Sequence, residues 1–323
     1  MKKVLFCIEK FCDLRPELGL TNSFHNTINS FSRSMPGYEF HVIHPDEAKL
    51  VYNSHIDNII ESYCLKNKID IIIYQFLGAD CNPSKETHQK LKEAGIYQCV
   101  FWPDSGWGWP LDTIADLGDI IDIHISWDAP RSQHHDTYGR RSNHINMWTP
   151  QDDSLFYPIL DEQRDIPISF LGSIDKYRDR ISFLQNYAHL FPNMVIGGGQ
   201  RTGKLSPSQY AEVVRRSQIG VNFPLSQAGV FWQAKGRIFE YTACGALLFD
   251  MKNPATSDFF VPGADFVEFE NFDDLSDKLK HYLNNPEERL KIAQSGHRKF
   301  KENYTAKTFW STILNKINQN KNE

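Results

Sequence analysis

The 323-residue sequence lacks an excess of basic charge, a paired cysteine motif and a long apolar run. Its net charge of −5 argues against a general attraction to nucleic acid, so no nucleic-acid partner is expected. The six cysteines include no Cys-x-x-Cys pair, and Lys2-Lys3 leads directly into a strand-like run, which together favour free thiols in a reducing cytoplasm. No apolar run approaches the roughly 18 residues that cross a bilayer, so any membrane contact should be peripheral.

Signatures of metal sites and serine hydrolases are also missing. The histidines of the middle region have neither neighbouring cysteines nor paired carboxylates, so no metal is expected. These histidines are His124, His134, His135 and His144. No Gly-x-Ser-x-Gly sequence occurs, which excludes the nucleophile elbow of an α/β-hydrolase.

Short apolar runs alternate with amphipathic stretches along the N-terminal half. The run from Asp70 to Tyr74 is too continuously apolar for a strand with one solvated face, which indicates a parallel sheet covered on both sides. Strands are predicted at Val4–Glu9, Tyr38–His44, Ile69–Leu77, Tyr97–Trp102 and Ile121–Trp127. Helices are predicted near Ser23–Met35, His55–Lys66 and Ser84–Ala94.

A second alternating series follows an interruption by proline and aspartate between Trp148 and Pro158. Its strands are predicted at Ile166–Leu171, Met194–Gly197, Ile219–Pro224, Ala246–Phe249 and Phe266–Phe269. Its helices are predicted at Lys176–Leu190, Pro207–Ser217, Lys235–Cys244, Asp273–Leu283, Pro286–Asn303 and Ala306–Asn318. We therefore expect an α/β protein of two doubly wound domains facing one another across a cleft, since the chain has room for two domains of about 150 residues. The expected divisions are residues 1–150, a linker 151–164, residues 165–303, and a terminal helix and tail 304–323.

The segment from Lys235 to Phe249 carries the strongest indication of a ligand. Lys235, Arg237 and Glu240 precede Gly245 and an apolar strand. In a helix, the first turn presents free N–H groups and two cations to a phosphate, and Glu240 can accept hydrogen bonds from ribose hydroxyls. Gly245 would end the helix. An amphipathic helix with surface charges and a C-cap glycine fits the local spacing equally well.

Three further loops follow predicted strands, at the sheet edge where open α/β sheets bind ligands. In the first, Gly172 permits close backbone approach, Ser173 can donate a hydrogen bond, and Arg178 or Arg180 could reach phosphate. The second is a flexible glycine-rich loop that includes Gly198 and suits contact with a base or phosphate. A structural interpretation, in which glycine turns the chain and arginine is solvated, remains open for these two loops. The third, Asn222–Gln233, leads into the Lys235–Phe249 segment and could wrap a ligand or simply connect two elements.

Residues from about Ile168 to Trp310 resemble the nucleotide-sugar-binding half of a GT-B glycosyltransferase, with the spore-protein-CgeB-like, family 1-like group as the nearest pattern. The residues that carry the resemblance are Phe170, Gly172, Arg180, Lys235, Arg237, Phe239, Glu240 and Gly245. The resemblance implies a GT-B fold whose last helix, beginning near Tyr304, crosses back to the first domain. It also implies transfer of a sugar from a nucleoside-diphosphate sugar to a hydroxyl of a saccharide, lipid-linked saccharide or other acceptor, with no cofactor required.

By this resemblance, Glu240 binds the ribose, Lys235 and Arg237 the diphosphate, and Ser173 and Arg180 the phosphate from the facing loop. Retaining relatives often carry a glutamate eight residues before the ribose-binding one, where this sequence has Trp232. The stereochemical outcome therefore stays open.

An acceptor base should come from the first domain, where a carboxylate or histidine could take the hydroxyl proton. Asp104 is the first candidate because it follows a predicted strand and lies among Trp102, Trp107 and Trp109. Asp13 and His25 are the next candidates. Each of the three could instead be a capping or surface residue. A sugar-nucleotide epimerase and a catalytically silent binding protein are the alternative functions.

Overall fold

The computed structural model describes residues 1–77, 80–103, 109–129, 143–172, 178–187, 190–197, 204–226 and 231–320. Of the predicted site residues, Asp104, Ser173 and Gly198 lie outside these ranges, and only the backbone of Asp13 is described. The chain divides into two compact units. The first comprises Met1–Met147 and Ala306–Glu323, and the second comprises Trp148–Thr305. The C-terminal helix thus belongs to the first unit although it follows the second unit in sequence.

The first unit is an α/β unit with a six-stranded parallel sheet. Its strands are β1 Lys3–Cys7, β2 Glu39–Ile43, β3 Ile71–Gln75, β4 Tyr97–Trp102, β5 Ile123–Trp127 and β6 His144–Met147. Its helices are α1 Asn22–Phe24, α2 Ser30–Ser34, α3 Pro45–Leu50, α4 Ile60–Asn67, α5 Lys85–Glu93 and α6 Trp109–Leu117, with a π-helical turn His25–Asn29 between α1 and α2. The strand order is β2-β1-β3-β4-β5-β6.

The second unit repeats this plan. Its strands are β7 Ile166–Leu171, β8 Val195–Gly197, β9 Ser217–Asn222, β10 Leu225–Ser226, β11 Phe231–Trp232, β12 Leu247–Met251 and β13 Val267–Phe269. Its helices are α7 Arg178–Tyr187, α8 Pro207–Arg216, α9 Gly236–Cys244, α10 Pro254–Ser257, α11 Phe272–Asn284 and α12 Pro286–Asn303. A five-stranded parallel sheet has the order β13-β12-β9-β7-β8, and β10 and β11 form a separate antiparallel pair.

Helix α13, Ala306–Asn320, packs within the first unit through Trp310. Trp310 is fully buried, and its ring lies 5.8 Å from that of Phe6 and 5.1 Å from that of Phe31. Its indole Nε1 donates to Ser30 Oγ at 2.8 Å. Edge-on aromatic contacts and a satisfied indole N–H therefore fix the C-terminal helix to the sheet and to α2.

Helix α9 lies unusually close to the second sheet. A Cβ at Gly220 of β9 would overlap the ring of Tyr241, so only glycine admits that ring. The Tyr241 hydroxyl bonds Ser169 Oγ of β7 at 2.8 Å. Contacts to two neighbouring strands thereby hold α9 over the centre of the sheet.

The predicted pair of doubly wound parallel sheets is confirmed. Periodicity does not predict the antiparallel pair β10–β11, because each strand is only two residues long. None of the described helices combines the length and apolarity that crossing a bilayer requires. The described residues also contain no group of three or more His, Cys, Asp or Glu side chains that could hold a metal ion.

Candidate functional site

The strand order creates a crevice between β7 and β9, because β9 adds to one side of β7 and β8 to the other. Open α/β sheets bind ligands at such a point, outside the carboxyl ends of the strands. Arg237 of α9 spans it. Its Nη1 donates to the carbonyl oxygen of Leu171, the last residue of β7, at 3.0 Å, and its Nε donates to Asn222 Oδ1, at the end of β9, at 2.9 Å.

The remaining guanidinium nitrogen of Arg237, Nη2, is buried and has no hydrogen-bond partner among the described residues. Leaving a buried charged donor unsatisfied is costly, which favours an anion at this position. Gly172 makes the arrangement possible, since a Cβ there would overlap Nη1 and stand 3.3 Å from Cζ. Gly172 thus makes room for Arg237, and the close approach of a ligand to its backbone stays a prediction.

A buried polar network supports Arg237 from beneath. Asn222 Nδ2 donates to Asp250 Oδ1 at 2.8 Å, and Asn253 Nδ2 donates to Asp250 Oδ2 at 3.1 Å. The Thr256 hydroxyl donates to the same carboxylate oxygen. Burial raises the pKa of Asp250 to about 7, although these three donors act in the opposite direction. Asn222 therefore has both its amide and its carbonyl oxygen committed, and it presents Oδ1 to Arg237 in one orientation.

Helix α9 directs its positive end toward the same region. Lys235 occupies the N-cap, and an ammonium cannot accept the helix N–H groups as serine or aspartate would. Its Nζ donates to Gln233 Oε1 at 2.6 Å. At the other end, Gly245 takes a left-handed conformation with φ 69°, and Arg164 Nη2 donates to the carbonyl oxygen of Cys244 at 2.5 Å. Gly245 ends the helix as predicted.

Glu240 lies on the same helix and is only 6% exposed. Its Oε2 accepts a hydrogen bond from the Tyr210 hydroxyl of α8 at 2.6 Å. Its Oε1 lies 3.5 Å from the position of a Cβ on Gly236, so the carboxylate is directed back toward the helix N-terminus. Burial raises the pKa of Glu240, and the Tyr210 hydrogen bond and the Arg237 charge oppose this rise. The alternative of α9 as a helix with merely solvated charges is therefore wrong for Glu240, and one guanidinium nitrogen of Arg237 is buried as well.

Arg180 of α7 is 4% exposed and lies near the same strand ends. Its Nη2 donates to the carbonyl oxygens of Phe223 at 3.4 Å and Leu225 at 3.2 Å. Its Cζ is 5.9 Å from the centroid of the Phe170 ring, and that of Arg237 is 5.3 Å from the same centroid. Both guanidinium groups thus lie near the Phe170 ring, and that of Arg180 anchors the chain leaving β9.

The candidate acceptor residues belong to the first unit. His25 begins the π-helical turn, and its Nδ1 pairs with Asn29 Nδ2 at 2.9 Å. Asp13 lies in the 3-10 turn Cys12–Leu14. Asp104 lies outside the described residues. The second-unit residues Gly172, Lys235, Arg237 and Glu240 are brought together around α9, whereas the acceptor candidates stay predictions.

Sequence patterns missed Tyr210 and Asp250, and they placed Asn222 only at the start of a candidate ligand loop, with no role of its own. Tyr210 resembles a core residue of an amphipathic helix, Asn222 ends one apolar strand, and Asp250 is the last residue but one of another. The available signal was the polar residue at each strand end, because neighbouring parallel strands place such residues at one edge. Lys204, which follows the glycine-rich loop, was also missed: its Nζ is buried without a hydrogen-bond partner in the described part of the chain.

Comparison with known proteins shows which family the chain belongs to. A family model described as glycosyl transferase-like matches residues 153–315, which is half of the chain. No curated protein sequence matches significantly. The CgeB-like subgroup stays a prediction.

Solved structures match the fold over nearly the whole chain. HepE from Anabaena, in complex with UDP and glucose, has a TM-score of 0.69 at 10% identity, covering 99% of this chain and 100% of that one. Sucrose-phosphate synthase from Thermosynechococcus elongatus has a TM-score of 0.66 at 10% identity, covering 98% and 99%. A glycosyltransferase from Rickettsia africae has a TM-score of 0.64 at 12% identity, covering 100% and 99%.

At these identities the likeness concerns the fold, and the family follows from the match over residues 153–315. The chain belongs to the glycosyl transferase-like family and is a glycosyltransferase of the GT-B fold.

Proposed function

We propose that this glycosyltransferase transfers a sugar from a UDP-sugar to a hydroxyl acceptor, with the donor diphosphate at Arg237 and its ribose at Glu240. One observation carries the proposal: a buried guanidinium nitrogen at the β7–β9 crevice has no hydrogen-bond partner among the described residues. This nitrogen belongs to Arg237, which lies one helical turn before Glu240, and the buried carboxylate of Glu240 directs its Oε1 toward the helix N-terminus. A cation for phosphate and an acceptor for ribose are the two groups that a nucleoside diphosphate needs.

The choice of UDP is supported by HepE from Anabaena, whose structures contain UDP with glucose and UDP-glucose. A nucleoside diphosphate leaves during transfer, and negative charge grows on its phosphate. Fixed positive groups stabilise that charge without reorganising. Arg237, Lys235 and the N-terminus of α9 supply them, together with Arg180 of α7, while the predicted Ser173 and Gly198 contribute hydrogen-bond donors from the neighbouring loops.

The acceptor is proposed to be a saccharide or lipid-linked saccharide, deprotonated by Asp104, Asp13 or His25 of the first unit. A cytoplasmic location is proposed as well, because all six cysteines are free thiols.

The donor assignment is tested by calorimetric titration with UDP. Arg237→Lys keeps the charge but loses the fork that reaches both Leu171 and Asn222, and Glu240→Gln keeps the shape but removes the charge. Each variant should bind UDP roughly 10–100-fold more weakly, the effect of losing one charged hydrogen bond. Arg216→Lys is the matched control, since Arg216 pairs with exposed Asp165 on the same unit. Unchanged affinity in both site variants would contradict the assignment.

Turnover is tested by incubation with a panel of UDP-sugars, with and without saccharide acceptors. Acceptor-dependent release of UDP supports transfer. Isomerisation of the donor without an acceptor would indicate an epimerase, and binding without turnover a silent binding protein.

A further inference from the structure

Tyr210 and Glu240 form a buried hydrogen bond between two helices. Tyr210 lies on α8 and is 9% exposed, and Glu240 lies on α9 and is 6% exposed. The hydroxyl-to-carboxylate distance is 2.6 Å, within the range of a strong charge-assisted bond. The ring of Tyr210 packs edge-on against Phe156, with 6.3 Å between the ring centroids. The hydroxyl is therefore held at one place.

This hydrogen bond gives the two carboxylate oxygens of Glu240 different surroundings. Oε2 accepts from Tyr210, whereas Oε1 lies beside Gly236, the first residue of α9. A ligand at the start of α9 thus meets Oε1. Rotation of the carboxylate would break the hydrogen bond to Tyr210, so the Tyr210 hydroxyl fixes the orientation of the Glu240 carboxylate.

Among the described residues, charged and titratable groups act on Glu240 from α8 and from α9 itself. Tyr210 faces it from α8, and Arg237, Tyr241 and Cys244 share α9 with it. His297 of α12 contacts the far end of α9, where its Nδ1 bonds the carbonyl oxygen of Thr242 at 2.9 Å. Of the groups that lower the pKa of Glu240, Tyr210 has the largest effect.

We propose that Tyr210 is a positioning residue for the donor: its hydroxyl holds Glu240 Oε2 so that Oε1 accepts a hydrogen bond from a ribose hydroxyl. The inference rests on the proposed function, in which Glu240 meets the ribose. Loss of the hydroxyl has two consequences. The carboxylate is free to rotate, and its pKa rises further because the hydrogen bond to the charged form is lost.

The direction in which the affinity for UDP changes with pH follows from the ionisation of the Glu240 carboxylate. Ribose hydroxyls donate to the ionised form, so affinity falls as the pH falls through the pKa of Glu240. In Tyr210→Phe that fall begins at higher pH. The affinity ratio of wild type to variant should therefore be roughly 2–10-fold larger at the acidic end of the range, the effect of losing one hydrogen bond.

The experiment compares the dissociation constants of wild type and Tyr210→Phe for UDP between pH 5.5 and 8.5, about the range in which proteins of this kind are most stable. Inorganic pyrophosphate is the second ligand, because it has the diphosphate but no ribose. Taking the ratio of variant to wild type cancels the ionisation of each ligand. Tyr187→Phe is the matched control, since Tyr187 is a buried tyrosine of the same unit whose hydroxyl donates to a backbone carbonyl oxygen, that of Phe272, rather than to a carboxylate.

We expect the UDP ratio to grow as the pH falls, the pyrophosphate ratio to stay near one, and Tyr187→Phe to show neither effect. In a Glu240→Gln background, Tyr210→Phe should add no pH dependence. A UDP ratio that is flat with pH, or an equal loss of pyrophosphate affinity, would overturn the positioning role while the donor site stands. A wild-type protein that binds neither ligand would overturn the proposed function and this inference together.

Discussion

Replacing Gly172 by alanine should weaken donor binding through Arg237 rather than through the fold. A Cβ at position 172 would overlap Arg237 Nη1 and stand 3.3 Å from Cζ, which is tighter than ordinary contact. The obstructed atoms are the far end of a flexible side chain, so the guanidinium can swing away. We therefore expect a loss of stability of no more than about 1 kcal/mol.

The loss in affinity should be larger. Displacement removes the bonds from Nη1 to Leu171 at 3.0 Å and from Nε to Asn222 at 2.9 Å, which aim Nη2 at the crevice. A misdirected guanidinium loses its bond to phosphate, worth about 1.5–3 kcal/mol when charged. The dissociation constant for UDP should rise roughly 10–100-fold.

A double-mutant cycle separates this mechanism from a general disturbance. Calorimetric titration with UDP is carried out on wild type, Gly172→Ala, Arg237→Ala and the double variant. Once Arg237 is alanine, a Cβ at position 172 has nothing to displace, so the second substitution should cost almost nothing. Gly37→Ala is the control, because a Cβ there meets no atom within 4 Å. Additive losses in the cycle, or full affinity in Gly172→Ala, would refute the reasoning.

Other predictions concern stability. Burial raises the pKa of Asp250 to about 7 from 3.8, so the folded state holds the proton of this carboxyl more tightly than the unfolded chain does. The protonated group therefore adds to the free energy of unfolding below about pH 4, and this contribution is lost as the pH rises to 7. Asp250→Asn should remove that loss, because the amide does not titrate. In urea titrations, the unfolding free energy of the variant minus that of wild type should rise by up to about 4 kcal/mol between pH 4 and 7. A difference that stays constant with pH would contradict this. Trp310→Ala should destabilise the first unit by about 3–5 kcal/mol without changing the affinity of the folded protein for UDP, and an affinity that falls with stability would contradict the assignment of the donor site to the second unit.

The elements of the fold were largely predictable because burial imposes patterns on neighbouring residues. Tyr97–Trp102 and Ile166–Leu171 are strands with the predicted bounds, and Pro286–Asn303 is a helix with the predicted bounds. Gly245 ends α9 because its left-handed conformation suits glycine. Such signals are local and can be read along the chain.

The supporting residues were not predictable because their partners are distant in sequence. Tyr210 bonds a carboxylate 30 residues away, and Asn222 bonds Asp250, 28 residues away. Those pairings depend on which strands and helices become neighbours, which no local pattern specifies. Gly172 illustrates the same limit: its lack of a side chain was recognised as important, but Arg237, 65 residues later, occupies the space.

The central claim is that the crevice between β7 and β9 binds the donor. A crystal structure of the protein with UDP tests it most directly. The claim predicts a phosphate oxygen within hydrogen-bond distance of Arg237 Nη2 and a ribose hydroxyl on Glu240 Oε1, with Tyr210 still bonded to Oε2. A nucleotide bound elsewhere, or one that leaves Arg237 Nη2 and Glu240 without contact, would contradict it.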